Sequence, residues 1–287
     1  MTVVFCADPL APTRTDPHFA AQARAVRDAG GVVALLDHDA LLAGDLTTAV
    51  RRVPRDLGDV WYRGWMVPTG HYADLADTLA GRGVRLRVSA SAYRSAHELP
   101  GWHATLASVT PESVWTPWQP GEPPTVDQVA ALVAPLGGGP AVVKDYVKSR
   151  KYEWAEACFI PDLADVGHAH RVVARMVELQ EDSLQGGVVV RRFERFAQRD
   201  GRTVEARVWW VRGEPVLAGP HPDTPDLVSE PDLTAIAPLV AAFGHPFVTT
   251  DVALRDDGTW RVVELGDGQV SDLPTTIDPS AVLGHLD

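Results

Sequence analysis

The sequence predicts a mixed α/β and α+β protein, and three observations carry that expectation. Apolar runs alternate with helical periodicity over the first 90 residues, the signature of a parallel sheet with covering helices. Later strand-like runs are joined by short turns, as antiparallel sheets are. Clusters of glycine and proline, above all Gly137-Gly138-Gly139-Pro140, divide the chain into segments each able to bury its own core.

In order, TVVFCA at 2–7 and VVALL at 32–36 read as buried strands. Between them a helix starts at Asp16-Pro17, carries Phe19, Ala23, Val26 and Arg27, and ends at Gly30-Gly31. DVWYRG at 59–64 is a third strand, a helix with Tyr72, Leu75, Ala76 and Leu79 on one face follows, and VRLRV at 84–88 is a fourth. Helical patches at 91–98 and 125–134 flank the loop TPESVWTPWQPGEPP, whose prolines argue against regular structure. AVVKDYV at 141–147 is a strand, Asp165 to Gln180 a helix, GVVVRRF at 187–193 a buried strand, and VEARVWWV at 204–211 a strand that turns back through Arg212-Gly213. A helix is expected from Pro231 to Phe243.

The 287 residues are 45% hydrophobic and 22% charged, with a formal charge of -12, which argues against nucleic acid and anionic membranes as general partners. No apolar run approaches the roughly 20 residues that span a bilayer, and the first residues lack a basic leader region. A cytoplasmic protein is therefore expected. Cys6 and Cys158 are the two cysteines, too few for a disulfide framework, and a bridge between them is not expected in a reducing compartment. There is no GxGxxG, HExxH, GxSxG or glycine-rich phosphate loop with a lysine. The ten histidines form no recognisable site, and the nine tryptophans read as packing.

The chemistry concentrates in FVTTDVALRDDGTWRVVELGDG at 247–268. A hairpin turning at Asp257-Gly258 with a two-residue loop places Asp251 opposite Glu264, Cβ atoms roughly 5 Å apart on one face. Facing carboxylates call for a cation between them, and oxygen donors suit Mg²⁺; Asp267 is a candidate third ligand. A solvated acidic hairpin is the alternative. Lys144, in a strand between valines, and Lys148, on the same face if the strand continues, suit a phosphate chain or else protect a sheet edge. Arg207 shares a face with Glu205 and Trp209, beside a metal or else stacked on Trp209. Arg63, at the carboxyl end of its strand, is placed to bind a ligand or else to stack on Trp61 or Trp65.

The succession VVKDYVKSRKYEW, VVVRRF, EARVWWVRGEPV and VVELGDGQVSDLP resembles the ATP-grasp superfamily, in particular a compact bacterial and phage clade whose substrates are mostly undefined. The resemblance covers nearly the whole chain. It implies an N-terminal pre-ATP-grasp-like domain (1–90), a first lobe (91–190) and a second lobe (191–287), clamping Mg-ATP. It implies a ligase joining a carboxylate to an amine, each from a small molecule or peptide, through an acyl phosphate. A phosphotransferase or a non-catalytic binding protein on the same fold are the alternatives. Residue by residue, Lys144 matches the lysine on the ATP phosphates, and Lys148 begins the phosphate-covering loop. Arg191, Arg192, Phe193 and Glu194 match the adenine-binding linker, Arg207 the arginine of the following strand, and Asp251 and Glu264 the metal ligands. Arg63 is the expected holder of a substrate carboxylate. Two departures stand out: the family's Glu-x-Asn has Gly266 at its third position, leaving Asp267 to supply the ligand, and the phosphate loop KSRKYEWAEAC is basic and bulky.

Overall fold

The computed structural model describes residues 1–274 and 276–287. Its N-terminal third is a parallel sheet of β1 (Thr2–Cys6), β2 (Val32–Leu36), β3 (Gly58–Arg63) and β4 (Val84–Leu86), in the order β2-β1-β3-β4. The helix after β1 begins as Asp16 accepts from the His18 amide; a 3₁₀ turn leads into α1 (Ala20–Asp28), which buries Ala23 and Val26. β2 differs from the expectation of a buried strand: it is the sheet edge, and Val32 is exposed. The polar stretch after β2 folds into two short helices, α2 (His38–Leu42) and α3 (Leu46–Ala49), capped by Asp37 and Asp45. α4 (Thr69–Ala80) buries Tyr72, Leu75 and Leu79, as its spacing predicts.

Two helices follow, α5 (Ala90–His97) and α6 (Leu99–Leu106). The proline-rich loop then contains a strand, β5 (Ser113–Pro117), contrary to expectation. β5 is an edge strand ending in Pro117, where a missing backbone donor costs no ladder bond. With α7 (Val126–Val133), β6 (Ala141–Asp145), β7 (Phe159–Ile160), α8 (Val166–Gln180) and β8 (Gly187–Arg192) it forms the first lobe, an antiparallel sheet ordered β5-β8-β6-β7. α7 and α8 cover it, burying Val129, Val133, Val173 and Val177 against Val143, Val188 and Val190.

A small hairpin, β9 (Gln198–Arg199) and β10 (Arg202–Thr203), leads to the second lobe. Its antiparallel sheet runs β12-β11-β13-β14, from β11 (Glu205–Val211), β12 (Glu214–Gly219), β13 (Phe247–Leu254) and β14 (Trp260–Asp267). α9 is shorter than expected, Ala237–Phe243, with Pro238 in its first turn, where its missing amide would have no helical partner. One face of this sheet packs Val208, Trp210, Val252 and Leu265 with Leu99 and Trp102 of α6 and Val240 of α9. The other face puts Trp209, Val211 and Phe247 into the core of the N-terminal domain.

The chain closes with α10 (Ser280–Leu283), which buries Val282 and Leu283 in that N-terminal core, and Leu286 O accepts from Trp61 Nε1 at 2.9 Å. The N-terminal domain and second lobe thus share one core, while the first lobe has its own and also places Tyr146, Val147 and Val189 in the core beneath the second lobe's sheet. No helix of the described residues is long and apolar enough to cross a membrane. Cys6 and Cys158 are free and buried.

Phe247 is fully buried at that shared core, its ring 5.9 Å from Trp61 and 5.7 Å from Trp209. Phe247→Ala is expected to destabilise the fold by about 3–5 kcal/mol. Urea denaturation followed by tryptophan fluorescence should show a lower midpoint for the domain and second lobe together.

Candidate active site

The site begins with strand register. The turn between β13 and β14 is one residue longer than the sequence suggests: Arg255 N bonds Thr259 O at 2.8 Å, and Gly258 takes a positive φ of 87°. Pairing therefore starts one step out, with Val252 opposite Val262. A bulge at Val263 then restores it, and Asp251 faces Glu264. Two one-residue irregularities cancel. On the other side of β13, Arg207 of β11 pairs with Asp251, so the arginine and both carboxylates lie on one sheet face.

Their charges are arranged in sequence. Arg207 clamps Asp251 with both prongs, Nε to Oδ1 at 2.7 Å and Nη2 to Oδ2 at 2.8 Å. His221, in the loop after β12, sets Nε2 3.3 Å from Asp251 Oδ2, while its Nδ1 accepts from the Asp223 amide at 3.1 Å. Burial alone would raise the Asp251 pKa, but Arg207 and His221 override it and bring it down to about 2. Burial likewise opposes charge on His221, yet Asp251 and Glu205 raise its pKa above the ordinary histidine value. Glu264 makes no hydrogen bond or ion pair within the described residues, and it lines two cavities at once.

The first cavity, ≈ 300 Å³, is lined by Lys144, Trp154, Cys158 and the segment Arg191 to Glu194. Lys144 is 8% exposed and has no in-chain partner among the described residues. β7 covers β6 only at Ala141 and Val142, and at Lys144 the outer side of the strand is met by the bridge to Ser149. Three of the linker side chains are already committed. Arg191 donates to Ser113 Oγ and Thr110 Oγ1, each at 3.1 Å, and to Val263 O, and burial lowers its pKa to about 10. Arg192 binds Glu112 and the carbonyls of Leu136 and Gly138. Glu194 receives a two-pronged bond from Arg261, both contacts 3.0 Å. Phe193 remains as an aromatic wall with Trp154 and Phe159, ring centroids 6.0 and 5.3 Å away. Trp154 is a wall residue that sequence reasoning misses: its place in the basic loop, three residues before the Ala157-Cys158 pair, carries no periodic signal.

The second cavity, ≈ 450 Å³, lies on the other side of Glu264 and is lined by Lys148, Arg207, His221, Asp251 and His97 among others. Lys148 does not extend the Lys144 face. The strand stops at Asp145, whose Oδ1 accepts from the amides of Val147 and Lys148, and Ser149 folds back to bridge Lys144. The two lysines consequently serve different cavities. Lys151, from the same loop, forms an ion pair with Asp223 of the second lobe across this cavity.

Two expectations are corrected. Arg63 is only 2% exposed: Nε donates to Gln22 Oε1 at 2.8 Å and Nη1 to Gln269 O at 2.9 Å, and the guanidinium lies over Phe19 and Trp209 rather than Trp61 or Trp65. It ties the N-terminal domain to the second lobe and does not line the cavities. Asp267 pairs with Val248 in the ladder and borders the second cavity at the end of β14, but its carboxylate is committed to other partners than Asp251 and Glu264. There it is fully buried, accepts from Gln269 N at 2.8 Å and lies 3.3 Å from His245 Nε2.

The donors that remain fit a hard cation. Glu264 is uncommitted, Asp251 is ionised opposite it, and Mg²⁺ characteristically takes one or two carboxylates with phosphate oxygens and water. Among the described residues no three His, Cys, Asp or Glu side chains form a closed metal cage.

Two lobes around a cleft, with a buried strand lysine on one side and a carboxylate pair on the other, define an ATP-grasp architecture. A family model for an ATP-grasp domain, the third family of its clade, matches residues 135–286, and the chain belongs to that ATP-grasp family. Among solved structures, the fold is similar to a RimK domain ATP-grasp protein from Sphaerobacter thermophilus DSM 20745, at TM-score 0.63 and 16% identity over 100% of this chain and 99% of that one. It is similar to the D-cycloserine synthetase DcsG, at TM-score 0.65 and 16% identity over 100% of both chains. It is also similar to the ATP-grasp ligase PsnB complexed with a precursor peptide and AMPPNP, at TM-score 0.56 and 14% identity over 100% and 97%. No curated protein matches the chain by sequence.

The Arg207–Asp251 pair gives a pH test. A carboxylate with a depressed native pKa stabilises the fold above its unfolded value and loses that contribution as pH falls through the native one. For Asp251 the window runs from its ordinary value, 3.8, down to about 2, worth about 2 kcal/mol. Asp251→Asn should remove that part of the acid-unfolding slope, measured by circular dichroism between pH 4 and about pH 2.

Proposed function

We propose that the protein is an ATP- and Mg²⁺-dependent ligase that joins a carboxylate to an amine through an acyl phosphate. The observation that carries this reading is Glu264, an uncommitted carboxylate at the wall between two cavities, with Lys144 on one side and Arg207 on the other. One cavity has the aromatic walls and strand lysine suited to a nucleotide, and the other is polar and large enough for a small acceptor. Among the similar structures, one is an ATP-grasp ligase complexed with a precursor peptide and another a D-cycloserine synthetase, which supports a ligase chemistry for this cleft with either a small molecule or a peptide as substrate.

In this reading Phe193 and Trp154 flank the base, the linker backbone meets its edge, and Lys144 binds the phosphates. Glu264 and Asp251 would hold Mg²⁺, which would supply charge neutralisation for the phosphates. Arg207 has a further role, since its guanidinium is fixed by Asp251 and needs no reorganisation as negative charge builds on the transferring phosphoryl group. The loop bearing Lys148 and Lys151 covers the second cavity, excludes water from the acyl phosphate, and leaves the amine as the available nucleophile.

Calorimetric titration with a non-hydrolysable ATP analogue and Mg²⁺ tests the reading. Native protein is expected to bind in a metal-dependent manner and Glu264→Ala to bind at least about 10-fold more weakly, the loss of one charged ligand. Absence of binding by the native protein would refute the enzyme reading. Phosphate release requiring both an acid and an amine would distinguish a ligase from a phosphotransferase, which transfers its phosphate to the acceptor.

A further inference from the structure

The ligase reading leaves one requirement unassigned. An amine that attacks an acyl phosphate must lose a proton, and the second cavity should hold a neutral base with a free lone pair. Most of its polar groups are engaged. Arg207, Asp251 and His221 are bound to one another, with His221 Nδ1 taken by the Asp223 amide. Lys151 pairs with Asp223, and Thr249 Oγ1 and Ser271 Oγ share a bond of 2.7 Å. In the ligase reading Lys148 belongs to the phosphate-covering loop and Glu264 to the metal site.

His97 is different. It sits in the last turn of α5, is 5% exposed, lines this cavity, and its Nε2 has no partner among the described residues. It borders only the second cavity. Along β14, Val263 and Glu264 line the nucleotide cavity and Glu264 to Asp267 line the second, so His97 lies on the acceptor side of Glu264. Its ring is held in place by stacking on Tyr93, centroids 5.0 Å apart and planes 18° from parallel, and Tyr93 stacks on Tyr72 at 3.9 Å.

We infer that His97 is the general base of the ligation step, receiving the proton of the amine at Nε2. The amine nitrogen's lone pair forms the C–N bond to the acyl carbon, the bond from that carbon to the phosphate oxygen breaks, and phosphate leaves with the electron pair. The nitrogen's proton passes to His97. Burial lowers the His97 pKa, and the carboxylates that face it, Asp267, Glu264 and Glu98, do not reverse that shift, so the ring is neutral at physiological pH.

The test compares two nucleophiles. Native protein and His97→Gln are incubated with Mg-ATP, the proteinogenic amino acids as acids, and either methylamine or hydroxylamine. Methylamine is a cation at neutral pH and needs a base; hydroxylamine is already unprotonated and traps acyl phosphates directly as hydroxamates. His97→Gln is expected to lower methylamine coupling about 10²-fold more than hydroxamate formation, the usual weight of general-base catalysis. The methylamine rate should recover partly as pH rises. Equal loss with both nucleophiles, or no loss with either, overturns the assignment of His97 while leaving the ligase reading intact. No hydroxamate from the native protein overturns the ligase reading and the His97 assignment with it.

Binding of the ATP analogue by His97→Gln verifies that the variant is folded. Independently of any variant, ¹⁵N-histidine NMR of the native protein should show His97 with an unprotonated nitrogen at pH 7, and a doubly protonated ring there refutes the role.

Discussion

The Asp251 carboxylate is the constraint from which the site is built. It faces Glu264 across a ladder, and two like charges on adjacent strands would weaken the sheet unless one is neutralised. Arg207 does so from the third strand with two hydrogen bonds in the plane of the carboxylate, and its side chain is about as buried as its partner's. Because the pair is satisfied within the sheet, Glu264 is left free to meet something outside it. A single internal ion pair thus fixes Asp251 in place and leaves Glu264 as the uncommitted carboxylate of the two, both bordering the cleft. Breaking it would leave a buried charge without a partner, the costly kind of loss.

The placement of the N-terminal domain follows from the other side of the same sheet. Gln269, just after β14, accepts from Tyr62 N through Oε1 at 3.1 Å and donates to Tyr72 Oη at 3.0 Å and to Asp267 Oδ1 at 3.1 Å. Its carbonyl accepts from Arg63 and from the Gly64 amide. Arg63 and Asp267 are therefore members of one buried polar seam in which most groups are paired, Arg63 Nη2 and Asp267 Oδ2 being left without a hydrogen bond among the described residues. The seam makes the domain and second lobe one body carrying Arg207, Asp251 and Glu264. The first lobe brings Lys144 and the aromatic walls from a separate core.

This division explains what can be read from the chain. Elements with strong periodicity, such as β1, α4, α8 and the hairpin of β13 and β14, are legible because local alternation reports burial. The carboxylate register is legible although the turn length is not, since the longer turn and the bulge at Val263 offset each other. β5 is hidden by its prolines, whose meaning depends on the strand being an edge. Arg63 and Asp267 mislead for a related reason: a charged residue beside a strand end looks functional until the partners that bury it, here Gln22, Gln269 and His245, arrive from distant parts of the sequence.

His97 is illegible in the opposite sense. Nothing in its local sequence separates it from the other nine histidines, and its surroundings come from Tyr93 on its own helix and the end of β14. A histidine's protonation state is decided by such tertiary neighbours rather than by spacing. His221 and His97 show the contrast within one cavity. The first rests against Asp251 with both nitrogens engaged and has a raised pKa, whereas the second is stacked on a tyrosine, keeps one nitrogen unpartnered and has a lowered one. In the proposed reaction, which neutralises phosphate and takes a proton from an amine, both histidines border the same cavity, one from the loop after β12 and one from the end of α5.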